Sequence, residues 1–176
     1  FVFEKWREAI DNQLIFNFQM PDTPGLTLHA EYARYRLGDG TGLYGEYFID
    51  PEFDLDEVPA ATRIDAVVNF NWGNTSPFPN LVPADGFTVR WSGFVESIFN
   101  EEYTFSVHSD DGCRLWIGDS LLIDQWVPQA GTEHSGKITL QSGVKVPIRL
   151  EYMEIGGGAN VALFWTSPNT PKAVIP

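Results

Sequence analysis

Two carboxylates stand side by side at Asp110 and Asp111, after a strand-like run ending at Ser109 and before the apolar start of another at Cys113-Arg114-Leu115-Trp116-Ile117. Like charges this close oppose each other's ionisation unless a cation lies between them or both stay in water. Calcium suits such a pair, because it accepts about six to eight oxygen ligands in flexible geometry. Asp-Asp-Gly is also an ordinary turn, and 24 acidic residues make chance pairs unavoidable. The pair alone leaves both readings open.

Other chemistry is sparse. Asp54-Leu55-Asp56-Glu57 is a second acid cluster, but it lacks the glycine and spacing of an EF-hand loop and reads as a solvated acidic turn. His29, His108 and His134 share no metal-ligand spacing and read as strand or loop residues. Cys113 is the sole cysteine, so a disulfide framework and a cysteine zinc cluster are both excluded, and its strand position suggests a small buried hydrophobe. No Gly-x-Ser-x-Gly elbow, His-Glu-x-x-His pair or phosphate loop occurs. Glycosidase chemistry needs only two suitably spaced carboxylates, yet nothing nominates a pair, and the expectation is a protein that is not an enzyme.

The elements that must position these residues are strands. The 176 residues are 43% hydrophobic and 14% aromatic, enough for one substantial core. Period-two alternation dominates past residue 40. Phe87, Val89, Trp91 and Val95 fall on one face of a run, and Tyr103–Val107 follows after Asn100-Glu101-Glu102, so the two runs read as a hairpin. Leu115–Ile117 and Leu121–Ile123 flank Gly118-Asp119, a two-residue turn whose leading glycine suits a positive φ. Lys137–Leu140 and Val144–Tyr152 surround Gln141-Ser142-Gly143, and Val161–Trp165 follows the loop 155–160. Trp72, Trp91, Trp116 and Trp165 read as core. Many short strands between turns imply an all-β antiparallel sandwich, jelly-roll-like, with a small N-terminal β extension.

A net charge of −13 disfavours nucleic acid as a partner. No apolar run is long enough to span a bilayer and no signal peptide opens the chain, so membrane insertion is not expected. The start at Phe1, in mid-pattern, reads as an excised or mature segment of a longer protein, acting as a monomer beside neighbouring domains.

Residues 1–36 differ in pattern. Phe1–Trp6, Leu14–Phe18, Met20-Pro21 and Leu26-Thr27-Leu28-His29-Ala30-Glu31-Tyr32 loosely resemble the closing half of small β-grasp-like repeats of bacterial surface proteins. The expected division is therefore 1–40 as extension or partial repeat and 41–176 as the main domain, with the glycine-rich stretch 36–42 as junction.

From Gly42 onward the landmarks Gly42-Leu43-Tyr44-Gly45-Glu46-Tyr47-Phe48, Phe70-Asn71-Trp72-Gly73, Phe87–Phe94, Tyr103-Thr104-Phe105, Ser109–Trp116, Leu122–Trp126, Leu150-Glu151-Tyr152 and Ala162–Trp165 resemble, in order, the protective-antigen-14 domain family. That family is a β-sandwich shared by a bacterial toxin, yeast flocculins and inserts in β-glucosidases. In its lectin members two aspartates joined by a cis peptide bond hold calcium, and the ion binds neighbouring sugar hydroxyls. The resemblance puts those roles on Asp110 and Asp111. It implies further oxygens from the loop Ile155-Gly156-Gly157-Gly158-Ala159-Asn160, as carbonyls of Gly156, Gly157 and Gly158 and the side chain of Asn160. Gln125 and Trp126 become candidate sugar contacts beside Asp110, Asp111 and Gly157, although Trp126 also fits a core position. The implied function is a calcium-dependent carbohydrate-binding module of a secreted or cell-surface bacterial adhesin, taking glycans or simple sugars. A protein-interaction or spacer domain, or an accessory module of a glycoside hydrolase, in which calcium only rigidifies loops, is the alternative.

Overall fold

The computed structural model describes residues 42–55 and 58–176, with the main chain of two short antiparallel strands, β1 (Glu8–Ile10) and β2 (Gln13–Ile15). The repeat expected over residues 1–36 otherwise lies outside the described residues, as do Asp56 and Glu57 of the second acid cluster. The main body continues with β3 (Leu43–Ile49), β4 (Ala61–Asp65), β5 (Asn69–Gly73), β6 (Phe87–Glu96), β7 (Glu101–Asp110) and β8 (Cys113–Ile117). It ends with β9 (Ser120–Gln125), β10 (Thr132–Leu140), β11 (Lys145–Glu154), β12 (Ala159–Ser167) and β13 (Thr170–Val174).

These strands form two antiparallel sheets and the described residues contain no helix, as the alternation implied. One sheet runs β4-β3-β6-β11-β8-β9. The other runs β10-β7-β12, with the far edge of β12 divided between β5 and β13. The inward positions of β6, Phe87, Val89, Trp91 and Val95, are all buried. Side chains alternate across a strand, so one apolar face per strand suffices to close the space between the sheets.

The expected hairpin of Phe87–Val95 with Tyr103–Val107 does not form. β6 pairs with β3 and β11, whereas β7 pairs with β10 and β12 in the opposite sheet. Crossing between sheets lets both apolar faces bury against each other instead of lining one sheet. The β8–β9 hairpin does form, with Gly118 at φ 57°. Cys113 is fully buried.

Aromatic rings fill the centre. Phe70 stacks on Trp72 at 4.9 Å and on Trp91 at 5.9 Å, and Tyr47 meets Trp91 edge-on. Full burial of such a ring contributes about 1.5–3 kcal/mol. Against them lies Asp65, whose Oδ2 accepts from Tyr47 Oη at 2.6 Å and Trp91 Nε1 at 2.7 Å, while Oδ1 pairs with Arg63. Trp72 and Trp165 pack on this core, half-buried. Trp116 does not: it faces outward from the six-stranded sheet with Arg149 3.9 Å above its ring. Its neighbours Leu115 and Ile117 take the inward positions, and a period of two leaves Trp116 outside.

Three connections that cross between the sheets matter for the acid pair: 111–112 from β7 to β8, 126–131 from β9 to β10, and 155–158 from β11 to β12. β7 ends where its antiparallel neighbour β12 begins, Asn160 standing opposite Asp110. All three connections therefore lie at one end of the sandwich.

Candidate functional site

Asp110 and Asp111 form the β7-to-β8 crossing and are joined by a cis peptide bond. Gly112 follows because nothing larger fits. An added Cβ there would stand 2.5 Å from Met153 Cε, 2.8 Å from the Gln125 carbonyl oxygen and 3.0 Å from Val127 N.

Asp111 is buried at 6% exposure, yet both its carboxylate oxygens are hydrogen-bonded by main chain. Gln129 N–H donates to Oδ1 at 3.0 Å and Ile155 N–H donates to Oδ2 at 2.9 Å. One carboxylate thus ties the 126–131 loop to the glycine loop. Asp110 is half-buried. Burial and the adjacent Asp111 charge raise its pKa, while the Gly131 N–H and nearby His108 act the other way. Its carbonyl oxygen accepts from the hydroxyl of Tyr152, which also lies 2.8 Å from Glu154 Oε2.

Glu154 sits behind the pair. It is fully buried, its Oε1 has no hydrogen-bond partner, and its pKa is pushed up to about 7. Burial is the main cause, with the negative charges of Asp111, Asp110 and Asp85 adding to it and the Tyr152 hydroxyl opposing. Asp85 reaches the glycine loop directly, accepting from Gly157 N–H at 3.2 Å.

The structure brings the acid pair and the glycine loop together. Gly156 and Gly157 are exposed and Gly158 half-exposed, and Gly157 takes φ 105°, a conformation that favours glycine. Asn160 Nδ2 donates to the Gly158 carbonyl at 3.3 Å, which leaves its Oδ1 to accept elsewhere. Gln125 lies on β9 opposite Cys113, its carbonyl against Gly112. Trp126 follows β9 directly. Its indole N–H donates to the Phe53 carbonyl at 3.1 Å and Arg114 lies 4.0 Å over its ring. Its ring thus lies beside Arg114, on the outer face of the six-stranded sheet. Asp50, not predicted as important, caps the neighbouring 50–55 turn by accepting from Asp54 N, Leu55 N and Thr88 Oγ1.

Gln129, Tyr152, Glu154 and Asp85 were not legible as site residues. Tyr152 and Glu154 occupy inward positions of a strand, where pattern alone predicts core, and Gln129 and Asp85 are single polar residues in loops. Only their placement in the fold, beside the acid pair and the glycine loop, distinguishes them.

Among the described residues no three or more His, Cys, Asp or Glu side chains are grouped closely enough to hold a metal ion. Any cation at this rim would take two carboxylates and then neutral oxygens. An all-oxygen set from two acids, a glycine loop and an amide fits a hard ion of flexible coordination such as calcium.

An antiparallel β-sandwich with an acid pair at one sheet crossing, faced by a glycine loop from the next, places the described residues in the all-β sandwich class. The family model described as the PA14 domain matches residues 39–176, and the chain belongs to that family. It is 40% identical over 141 residues to the anti-sigma-I factor RsgI3 of Acetivibrio thermocellus, covering 80% of this chain and 21% of that protein. Identity to the protective antigen of Bacillus anthracis is 28% over 140 residues, 76% of this chain and 17% of the antigen. Among solved structures, an anti-sigma factor domain-containing protein aligns with TM-score 0.72 at 40% identity, over 79% of this chain and 46% of its own. A PA14 sugar-binding domain from an RTX adhesin aligns with TM-score 0.63 at 18% identity, over 76% and 94%. The chain thus spans about a fifth of each curated relative. The expected likeness to the toxin's domain holds at the level of family, but identity is higher to anti-sigma factors.

Proposed function

We propose that this chain is a calcium-dependent carbohydrate-binding module of a longer protein that displays it outside the cell. The observation that carries the reading is the arrangement at residue 111: an acid pair whose second carboxylate is hydrogen-bonded from two different loops, beside a run of three glycines. Asp110 and Asp111 would hold the ion with carbonyls of Gly156, Gly157 and Gly158 and the Asn160 side chain. Bound calcium supplies open coordination positions that vicinal sugar hydroxyls fill in place of water. The chain's own part is to keep its oxygens oriented and the rim open, with no bond-breaking group engaged. Membership of a family that includes a domain named for sugar binding supports this reading.

The host protein is a separate question. The 40% identity to an anti-sigma-I factor favours a regulatory context, in which glycan capture outside is reported inward, over the adhesin context that the sequence alone suggested. A glycan array probed with this chain in calcium and again in chelator, with melting curves under both conditions, tests the binding reading. Binding in calcium alone supports it. A calcium-dependent melting shift with no glycan bound would favour a structural ion in an interaction or spacer domain.

A further inference from the structure

We infer that Gln129 is a positioning residue for the calcium site, acting through Asp111, and that His134 anchors it. The inference rests on the calcium reading and goes beyond the ion's direct ligands. Gln129 holds Asp111 at two points besides its neighbour: its main-chain N–H donates to Oδ1 at 3.0 Å, and its side-chain Nε2 lies 3.1 Å from the Asp111 carbonyl oxygen and 3.3 Å from Ser109 Oγ. A carbonyl oxygen can only accept, so the Gln129 amide nitrogen must face Asp111 and its Oε1 must face away. That oxygen meets His134 Nε2 at 2.9 Å. An amide oxygen accepts only, hence His134 carries a proton on Nε2.

The arrangement runs from β10 through the 126–131 loop to the acid pair. His134 is half-buried on β10 opposite Val107 and belongs to the sheet, so its main-chain position is set by the ladder and not by the loop. Through its side chain Gln129 converts that fixed point into a fixed orientation of the Asp111 peptide, on which the carboxylate is carried, while its main-chain N–H meets the carboxylate itself. Groups hydrogen-bonded behind a ligating carboxylate typically change metal affinity by about 10–100-fold when removed. Gln129 is spaced like such a group: it touches the candidate ligand at two atoms and is itself held by a third residue.

The test is calorimetric titration of calcium into the chelator-stripped chain, comparing wild type with Gln129→Ala, His134→Phe and His134→Gln, and with melting curves in chelator for each. Gln129→Ala and His134→Phe should weaken calcium binding by about tenfold or more. His134→Gln, which retains an N–H of similar reach, should stay near wild type. A purely structural role would lower the metal-free melting temperature without separating the two His134 variants in affinity. Equal calcium affinity in wild type and Gln129→Ala would overturn the inference while leaving the calcium site standing. Should Gln129→Ala fail to fold, equal affinities of His134→Phe and His134→Gln overturn it instead. Absence of calcium binding by wild type removes the underlying reading, and this inference with it.

Discussion

Asn160 stands directly opposite Asp110 in the ladder between β12 and β7. That register carries Asp110, the last residue of β7, and Asp111 after it to the mouth of the glycine loop that leads into β12, and makes a single rim from segments far apart in sequence. Asp111 can take hydrogen bonds from both Gln129 and Ile155 because each lies in a loop that leaves a different strand at this end of the sandwich.

Asp111→Asn should abolish calcium-induced stabilisation while the chain stays folded in chelator. Calcium at about a hundred times its dissociation constant should add about 2.7 kcal/mol to wild type, which for a domain of this size raises the melting temperature by about 5–10 °C. Differential scanning calorimetry with and without calcium reads the effect. A full calcium shift in the variant would show that the ion, if any, binds elsewhere.

Gly112→Ala should destabilise by about 1–3 kcal/mol. Two of the atoms that a Cβ would meet there, the Gln125 carbonyl oxygen and Val127 N, are main chain. Trimming Met153 to Ala should therefore leave most of the loss in place, as urea unfolding of the single and double variants can establish. Complete rescue by Met153→Ala would show that side-chain crowding alone sets the requirement for glycine.

Asp65→Ala leaves Arg63, Tyr47 and Trp91 without their shared acceptor inside the sandwich. Leaving a buried donor such as the Tyr47 hydroxyl or the Trp91 N–H without its acceptor costs about 1–3 kcal/mol. The loss should appear equally with and without calcium, since the cluster sits among the core aromatics and touches none of the rim residues. A calcium-dependent loss on urea titration would contradict that separation.

The metal-free protein should lose stability as pH rises from about 4.5 to about 7. Glu154 has its pKa raised to about 7, chiefly by burial, so the folded state holds its proton more tightly than the unfolded chain does. The contribution is complete below the unfolded value, declines through the interval, and is gone above the folded value. Glu154→Gln should flatten the profile there in chelator, by melting temperature against pH. An unchanged slope would mean that other groups set the dependence.

The all-β class and the single core were legible in the chain itself, as was the position of Asp110 and Asp111 between two strands. Alternating apolar residues can bury only as strand faces, whereas the acid pair alone fits an ordinary turn as well as a cation site. The glycine loop was legible too, because three successive glycines in a strand-rich chain mark main chain that must turn freely. Which strands pair was not: β6 and β7 adjoin in sequence yet lie in opposite sheets, since a short connection can equally turn a hairpin or cross a sandwich and the choice follows from where both faces find cover. Trp126 shows the same limit, its ring committed to Arg114 and Phe53 on the outer face by the direction in which β9 ends. Only the tertiary structure decided that Gln129, Tyr152 and Glu154 stand behind the pair. Local pattern sets which face of a strand a side chain leaves from, while hydrogen-bond partners remote in sequence are chosen by how the strands register against one another.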